Sequence, residues 1–128
     1  MDPRILVVSK DQSTCTQLIR DLTDGGFEVI VVEDEHRALE NWGFVRPSLT
    51  ILDLFSGNQG TWQTLGAIRA NSSVPVIALT REDSQLRVAS LDQGADFSMS
   101  KPFDGRELRA RVRALLRRVG FATQSITD

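Results

Sequence analysis

The 128-residue sequence has a single cysteine, Cys15. No disulfide within the chain is therefore possible, and a reducing compartment fits. On a helical stretch, Cys15 reads as a small core residue rather than a nucleophile. No apolar run approaches membrane-spanning length. The N-terminus, MDPRILVV, carries one positive charge ahead of a strand and no cleavage pattern. It is not expected to be a signal peptide, and the expected location is cytoplasmic. Excess basic charge is missing too: 15 Lys and Arg stand against 17 Asp and Glu, a net charge of −2. Direct nucleic-acid binding by this chain is thus not expected, and neither is membrane association. There is no G-x-G-x-x-G, no Gly-rich phosphate loop after the first strand and no nucleophile–base pair such as Ser–His. These gaps argue against a small enzyme or cofactor binder. No internal repeat or low-complexity segment is visible.

What is present is the balance of an ordinary globule, 41% apolar and 25% charged, at a length that suits one domain with one core. Short runs rich in Val and Ile alternate with helical patterns. Strands are expected at 4–9, 27–32, 49–54, 75–80 and 96–100. Helices are expected at 12–24, 35–44, 61–70, 83–92 and 104–118, the first ending at Gly25-Gly26. Such alternation implies β-α-β crossovers and a parallel sheet covered on both faces. With right-handed crossovers the simplest answer is a doubly wound α/β fold. Sites in such sheets lie outside the carboxyl ends of the strands. The residues to inspect are then Ser9, Lys10 and Asp11, then Asp53 to Phe55, then Thr80, then Lys101. The tail VGFATQSITD loses helical periodicity, so 1–119 is expected as the domain and 120–128 as a tail or the start of a linker to an output domain.

ILVV near the start, TILDLF around Asp53, PVIALT ending in Thr80, and GADFSMSKPF containing Lys101-Pro102 follow one another at the right spacing. Together they resemble the receiver domain of bacterial two-component response regulators, over residues 4 to 118. The resemblance implies a flavodoxin-like (βα)5 sandwich with sheet order 2-1-3-4-5. It implies that Asp53 accepts a phosphoryl group from a histidine kinase and that Thr80 and Lys101 contact the phosphoryl oxygens. It also implies a cis Lys101-Pro102 bond and a Mg²⁺ ion that offsets charge on carboxylate and phosphoryl group.

Several residues depart from that pattern. The acidic pair after strand one falls on Ser9 and Lys10. A lysine cannot ligate Mg²⁺, which demands oxygen ligands, and its charge repels the ion. Asp53 and Asp11 are the remaining candidates for the metal, and Asp11 has the competing reading of a helix N-cap. A Lys10–Asp53 ion pair is expected, with Lys10 reaching solvent and Asp53 left free as the alternative. The loop after Asp53 lacks the usual Pro-Gly pair. Arg81 stands where a small residue is usual, either solvated or adding charge to the pocket with Phe55 and Pro102. The aromatic that often switches rotamer falls on Ser98, and Phe97, one residue earlier, points to the other face.

The segment 104–118 is rich in arginine, which reads either as a solvated face or as a partner surface. In the subfamily of the OmpR/PhoB type, the fourth helix, fifth strand and fifth helix form a symmetric dimer face tied by charged pairs. The matching positions give Arg87 with Glu107, Asp92 with Arg113, and Asp96 with Arg118. Arg111 would need an acid at Phe97. His36 and Trp62 read as surface and packing residues. Three functions stay open: a degenerate receiver controlling a transcriptional output through a homodimer, a working phosphoacceptor on Asp53, and a small flavodoxin-like enzyme or cofactor binder.

Overall fold

The computed structural model describes residues 3–55 and 59–120. Ser56, Gly57 and Asn58 of the loop after Asp53, and the tail beyond Gly120, lie outside the described residues. The strands are β1 (Arg4–Val8), β2 (Glu28–Val32), β3 (Leu49–Asp53), β4 (Val76–Thr80) and β5 (Phe97–Ser100). The helices are α1 (Gln12–Asp24), α2 (Glu35–Glu40), α3 (Trp42–Val45), α4 (Gln59–Asn71), α5 (Ser84–Gln93) and α6 (Gly105–Arg118). All strand pairs are parallel, in the order β2-β1-β3-β4-β5.

Parity along the strands sorts the core into two layers. Ile5, Val7, Ile51, Ile77, Leu79 and Met99 pack with Leu18, Leu22, Leu108 and Leu116 from α1 and α6. Leu6, Val8, Leu52 and Ala78 point to the opposite face, against Ala38, Leu65 and Ile68. Both faces are dry, which is why the strands read as unbroken apolar runs.

The helix expected over 35–44 is two. The side-chain amide of Asn41 donates to the Arg37 carbonyl at 2.9 Å, a local bond that competes with the helical ladder. α3 then stops at Arg46, at φ 51 and ψ 61, ahead of Pro47, which cannot supply a further backbone donor. Aspartate caps α1, α2, α5 and α6, through Asp11, Asp34, Asp83 and Asp104.

Candidate functional site

The register pairs Val8 with Leu52, so one step further Ser9 lies beside Asp53 at the carboxyl ends of β1 and β3. Parity puts Ser9, Asp53 and Lys101 on the α1/α6 face, and the side chains meet. Ser9 Oγ donates to Asp53 Oδ2 at 2.7 Å. Lys101 Nζ donates to the same oxygen at 2.8 Å, to Thr14 Oγ1 at 2.7 Å and to Asp11 Oδ2 at 3.3 Å. The backbone N–H of Phe55 donates to Asp53 Oδ1 at 3.0 Å, and the Phe55 ring lies 4.7 Å from Lys101 Nζ. The Lys101 and Asp53 side chains are only 12% and 5% exposed. A carboxylate that deep, left alone, would cost several kcal/mol; Lys101 is its counter-charge. The Lys101-Pro102 peptide is cis as expected, and Pro102 is exposed.

The Lys10–Asp53 pair is not formed. Lys10 has the opposite parity to Ser9 and is exposed. Its charge acts on Asp34, whose carboxyl is lowered first by the backbone N–H of His36, then by that of Arg37 and by Lys10. Of the alternative reading one half holds: Lys10 is exposed, but Asp53 is not free, being paired with Lys101.

Asp11 caps α1. Oδ1 accepts from the Ser13 N–H and hydroxyl, and Oδ2 from the Thr14 hydroxyl at 2.6 Å. The Thr14 bond, with Lys101 adding to it, brings the Asp11 carboxyl down from 3.8 to about 2. Thr14, which links Asp11 to Lys101, was not singled out from the sequence. Its signal is a hydroxyl one turn after a capping aspartate.

These residues do not fit a Mg²⁺ cage. The ion needs several oxygen acceptors in near-octahedral array. Asp11 and Asp53 are the pocket's two carboxylates, and the Lys101 ammonium lies against an oxygen of each, where its charge opposes a cation. Among the described residues, no group of three or more His, Cys, Asp or Glu is arranged to hold a metal.

Thr80 and Ser98 lie on the other face of the sheet. Their hydroxyl oxygens are buried and have no hydrogen-bond partner among the described residues. Arg81 is exposed. Cys15 is half-buried behind the site, its thiol donating to the Ser9 carbonyl at 3.6 Å and pushed up in pKa by burial. His36 is at the surface, 3.2 Å from Glu40.

On the expected dimer face, now α5–β5–α6, Arg87, Asp92, Glu107, Arg111 and Arg118 are exposed and Arg113 half-buried. Asp96 is also exposed and is engaged within the chain: its Oδ2 is 2.8 Å from Arg69 Nη2 and accepts from the Val76 N–H at 2.8 Å. Arg111 stacks over the Phe97 ring at 4.1 Å and lies 3.8 Å from Glu107.

Comparison with known proteins agrees with this geometry. A family profile described as "Response regulator receiver domain" matches residues 5–113. The chain belongs to the response regulator receiver family. It is 37% identical over 125 residues to the sensory transduction protein RegX3 of Mycobacterium tuberculosis, covering 97% of this chain and 55% of that protein. To the DNA-binding response regulator MtrA of Mycolicibacterium smegmatis it is 40% identical over 119 residues, covering 92% and 52%. A Thermotoga maritima response regulator structure superposes with a TM-score of 0.83 at 25% identity, covering 91% of this chain and 99% of that one. This receiver therefore spans about half the length of these two curated relatives. No helix among its described residues is long and apolar enough to cross a membrane.

Proposed function

We propose that this receiver is atypical: Asp53 is held in a standing ion pair with Lys101, Mg²⁺-dependent phosphorylation is weak or absent, and an output is controlled through a homodimer built on α5–β5–α6. By analogy with MtrA, whose name records DNA binding, the output is transcriptional. The observation that carries the reading is the Ser9–Asp53–Lys101 set, in which Asp53 Oδ2 accepts from both Ser9 and Lys101 and Oδ1 from the Phe55 N–H.

The test is intact mass after incubation with Mg²⁺ and a small acyl-phosphate donor, with Asp53→Asn as control. No adduct is expected on the natural sequence. The double change Ser9→Asp, Lys10→Asp restores carboxylates where the family carries them and is expected to yield an adduct that needs both Mg²⁺ and Asp53.

The second reading is a working phosphoacceptor served by a histidine kinase. It is favoured by one observation: Lys101 Nζ draws Asp11 and Asp53 to the same amine. An adduct on the natural chain and not on Asp53→Asn would establish it in place of the first.

A further inference from the structure

The hydrogen bonds of Lys101 lead away from the sheet along one helix. Its ammonium has three N–H donors, and they go to Asp53 Oδ2, Asp11 Oδ2 and Thr14 Oγ1. Thr14 donates its own proton to Asp11 at 2.6 Å, so one hydroxyl joins the ammonium to the first turn of α1. Thr80 offers no such link: its buried hydroxyl has no partner among the described residues.

The contacts continue down α1. Gln17, one turn on, donates from Nε2 to the Phe103 carbonyl at 3.2 Å. Asp21, a further turn on, meets the start of α6. Its side chain is 12% exposed, and its Oδ2 has no hydrogen-bond partner among the described residues. That oxygen faces Gly105, the first residue of α6, where a Cβ would come 2.5 Å from Oδ2 and 2.9 Å from Oδ1. Any side chain at 105 would bar the carboxylate from this place, which the positive end of a helix favours. Arg109, one turn into α6, donates to the Asp21 carbonyl at 3.4 Å and lies 4.0 Å from Oδ1, and Arg20 lies 3.6 Å from the same oxygen. Thr14, Gln17 and Asp21 stand at i, i+3 and i+7 on one helix face, over roughly 10 Å. Lys101, Phe103, Gly105 and Arg109 oppose them in the same order. Beside this stripe, Leu18 and Leu22 already bury α1 with Leu108 and Leu116 of α6. Apolar burial is non-directional, so the polar stripe is what sets the register.

We propose that Thr14, Gln17 and Asp21 are positioning residues: they fix where Lys101 stands against Asp53 and tie that position to the start of α6. Asp21 acts from two turns away. Coupling of this kind is reciprocal, so a change at Asp53 that releases Lys101 is felt in α6, which carries Glu107 and Arg111. The inference deepens the reading above in that it rests on the Asp53–Lys101 pair, and it stands whether or not Asp53 takes a phosphoryl group.

The chain has two lysines, Lys10 and Lys101. The full chain, isotopically labelled at lysine nitrogen, therefore gives two ammonium signals in NMR, and Lys101→Arg identifies the one from Lys101. Exchange of its protons with water is measured without Mg²⁺ or a phosphoryl donor, which separates the outcome from the adduct test. Thr14→Val is expected to speed exchange roughly tenfold, the scale of one lost hydrogen bond to a charged group. Gln17→Ala and Asp21→Ala leave every bond of the ammonium in place, yet each is expected to speed exchange roughly twofold to threefold and to shift the Lys101 signal. Ile68→Val, which loosens the opposite core layer, is expected to do neither. In the other direction, Asp53→Asn is expected to shift the side-chain amide signal of Gln17. Natural exchange and shift in Gln17→Ala and Asp21→Ala would overturn the proposal and leave the stripe as packing alone. An equal response in Ile68→Val would overturn it too, because general loss of stability would then account for the effect, and so would an unmoved Gln17 amide. Gln17 is half-buried with a single such bond, so Gln17→Ala decides alone if Asp21→Ala does not fold.

Discussion

Asp11 has two tasks at the start of α1: it caps the helix and takes one of the hydrogen bonds from Lys101. Asp11→Ala removes the cap and should cost about 1 kcal/mol, within the roughly 0.5–2 kcal/mol range for N-cap losses, read from the urea midpoint. The sign of the pH effect follows from its carboxyl, which lies at about 2 when folded against 3.8. A depressed folded value means the contribution is present above pH 3.8 and is lost as pH falls toward 2. The side chain is 49% exposed, so solvent screening leaves only a fraction of 1 kcal/mol in that limb. The acid limb of the natural chain should therefore be slightly steeper than that of Asp11→Ala. Thr80 gives the opposite expectation. Its buried hydroxyl lacks a partner among the described residues, and such a group costs about 1–3 kcal/mol to bury. Thr80→Val keeps the shape and is expected to be neutral or to stabilise by up to about 1 kcal/mol. A marked loss in urea unfolding would mean that the hydroxyl has a partner after all. The same scale explains what the sequence did and did not reveal. The meeting of Asp53 and Lys101 was legible from motif and spacing, whereas Thr80, expected beside them, has its hydroxyl buried on the other face of the sheet. Lys10 was misassigned because its charge was weighed and its direction was not: alternation sends Ser9 toward Asp53 and Lys10 away from it.

At the level of elements, Arg69 is the clasp between α4 and β5. Its Nε donates to the Gly94 carbonyl at 2.9 Å, its Nη1 to the Ser72 carbonyl at 3.1 Å, and its Nη2 to Asp96 at 2.8 Å. The stem lies so close under Gly94 that a Cβ there would sit 2.9 Å from Arg69 Cβ, at a φ of +132. Hydrogen bonds to charged groups contribute roughly 1.5–3 kcal/mol, so Arg69→Ala should cost about 2 kcal/mol by thermal or urea unfolding. Arg69→Lys should recover only part of it, because an ammonium lacks the planar fork that serves three acceptors. Local sequence chemistry did not disclose this clasp, since Asp96 sits 27 residues from Arg69 and only the fold brings them together. Helix positions were more legible, because apolar spacing and the capping aspartates act locally. The split at Asn41 was missed because a side-chain amide turning back on its own helix leaves the apolar spacing unchanged.

For the molecule as a whole, continuous Val- and Ile-rich strands between helices made a doubly wound parallel sheet legible, and the order 2-1-3-4-5 followed from the resemblance to the receiver family. The assembly is less legible, because a symmetric interface is a property of two copies. The proposed α5–β5–α6 dimer keeps Arg87 and Glu107 exposed, while Asp96 is engaged by Arg69 and Arg111 rests on Phe97. An exposed ion pair contributes roughly 0–1 kcal/mol, and two-fold symmetry makes each pair occur twice. Reversing one member, as Arg87→Glu or Glu107→Arg, should weaken the dimer by up to about 2 kcal/mol, roughly thirtyfold in Kd. The double reversal should restore most of the loss, because the pair is rebuilt with its charges exchanged. Sedimentation equilibrium reads both. If the single reversals leave Kd unchanged, Arg87 and Glu107 do not meet across the axis. Glu107 would then belong only to Arg111, 3.8 Å away on its own helix.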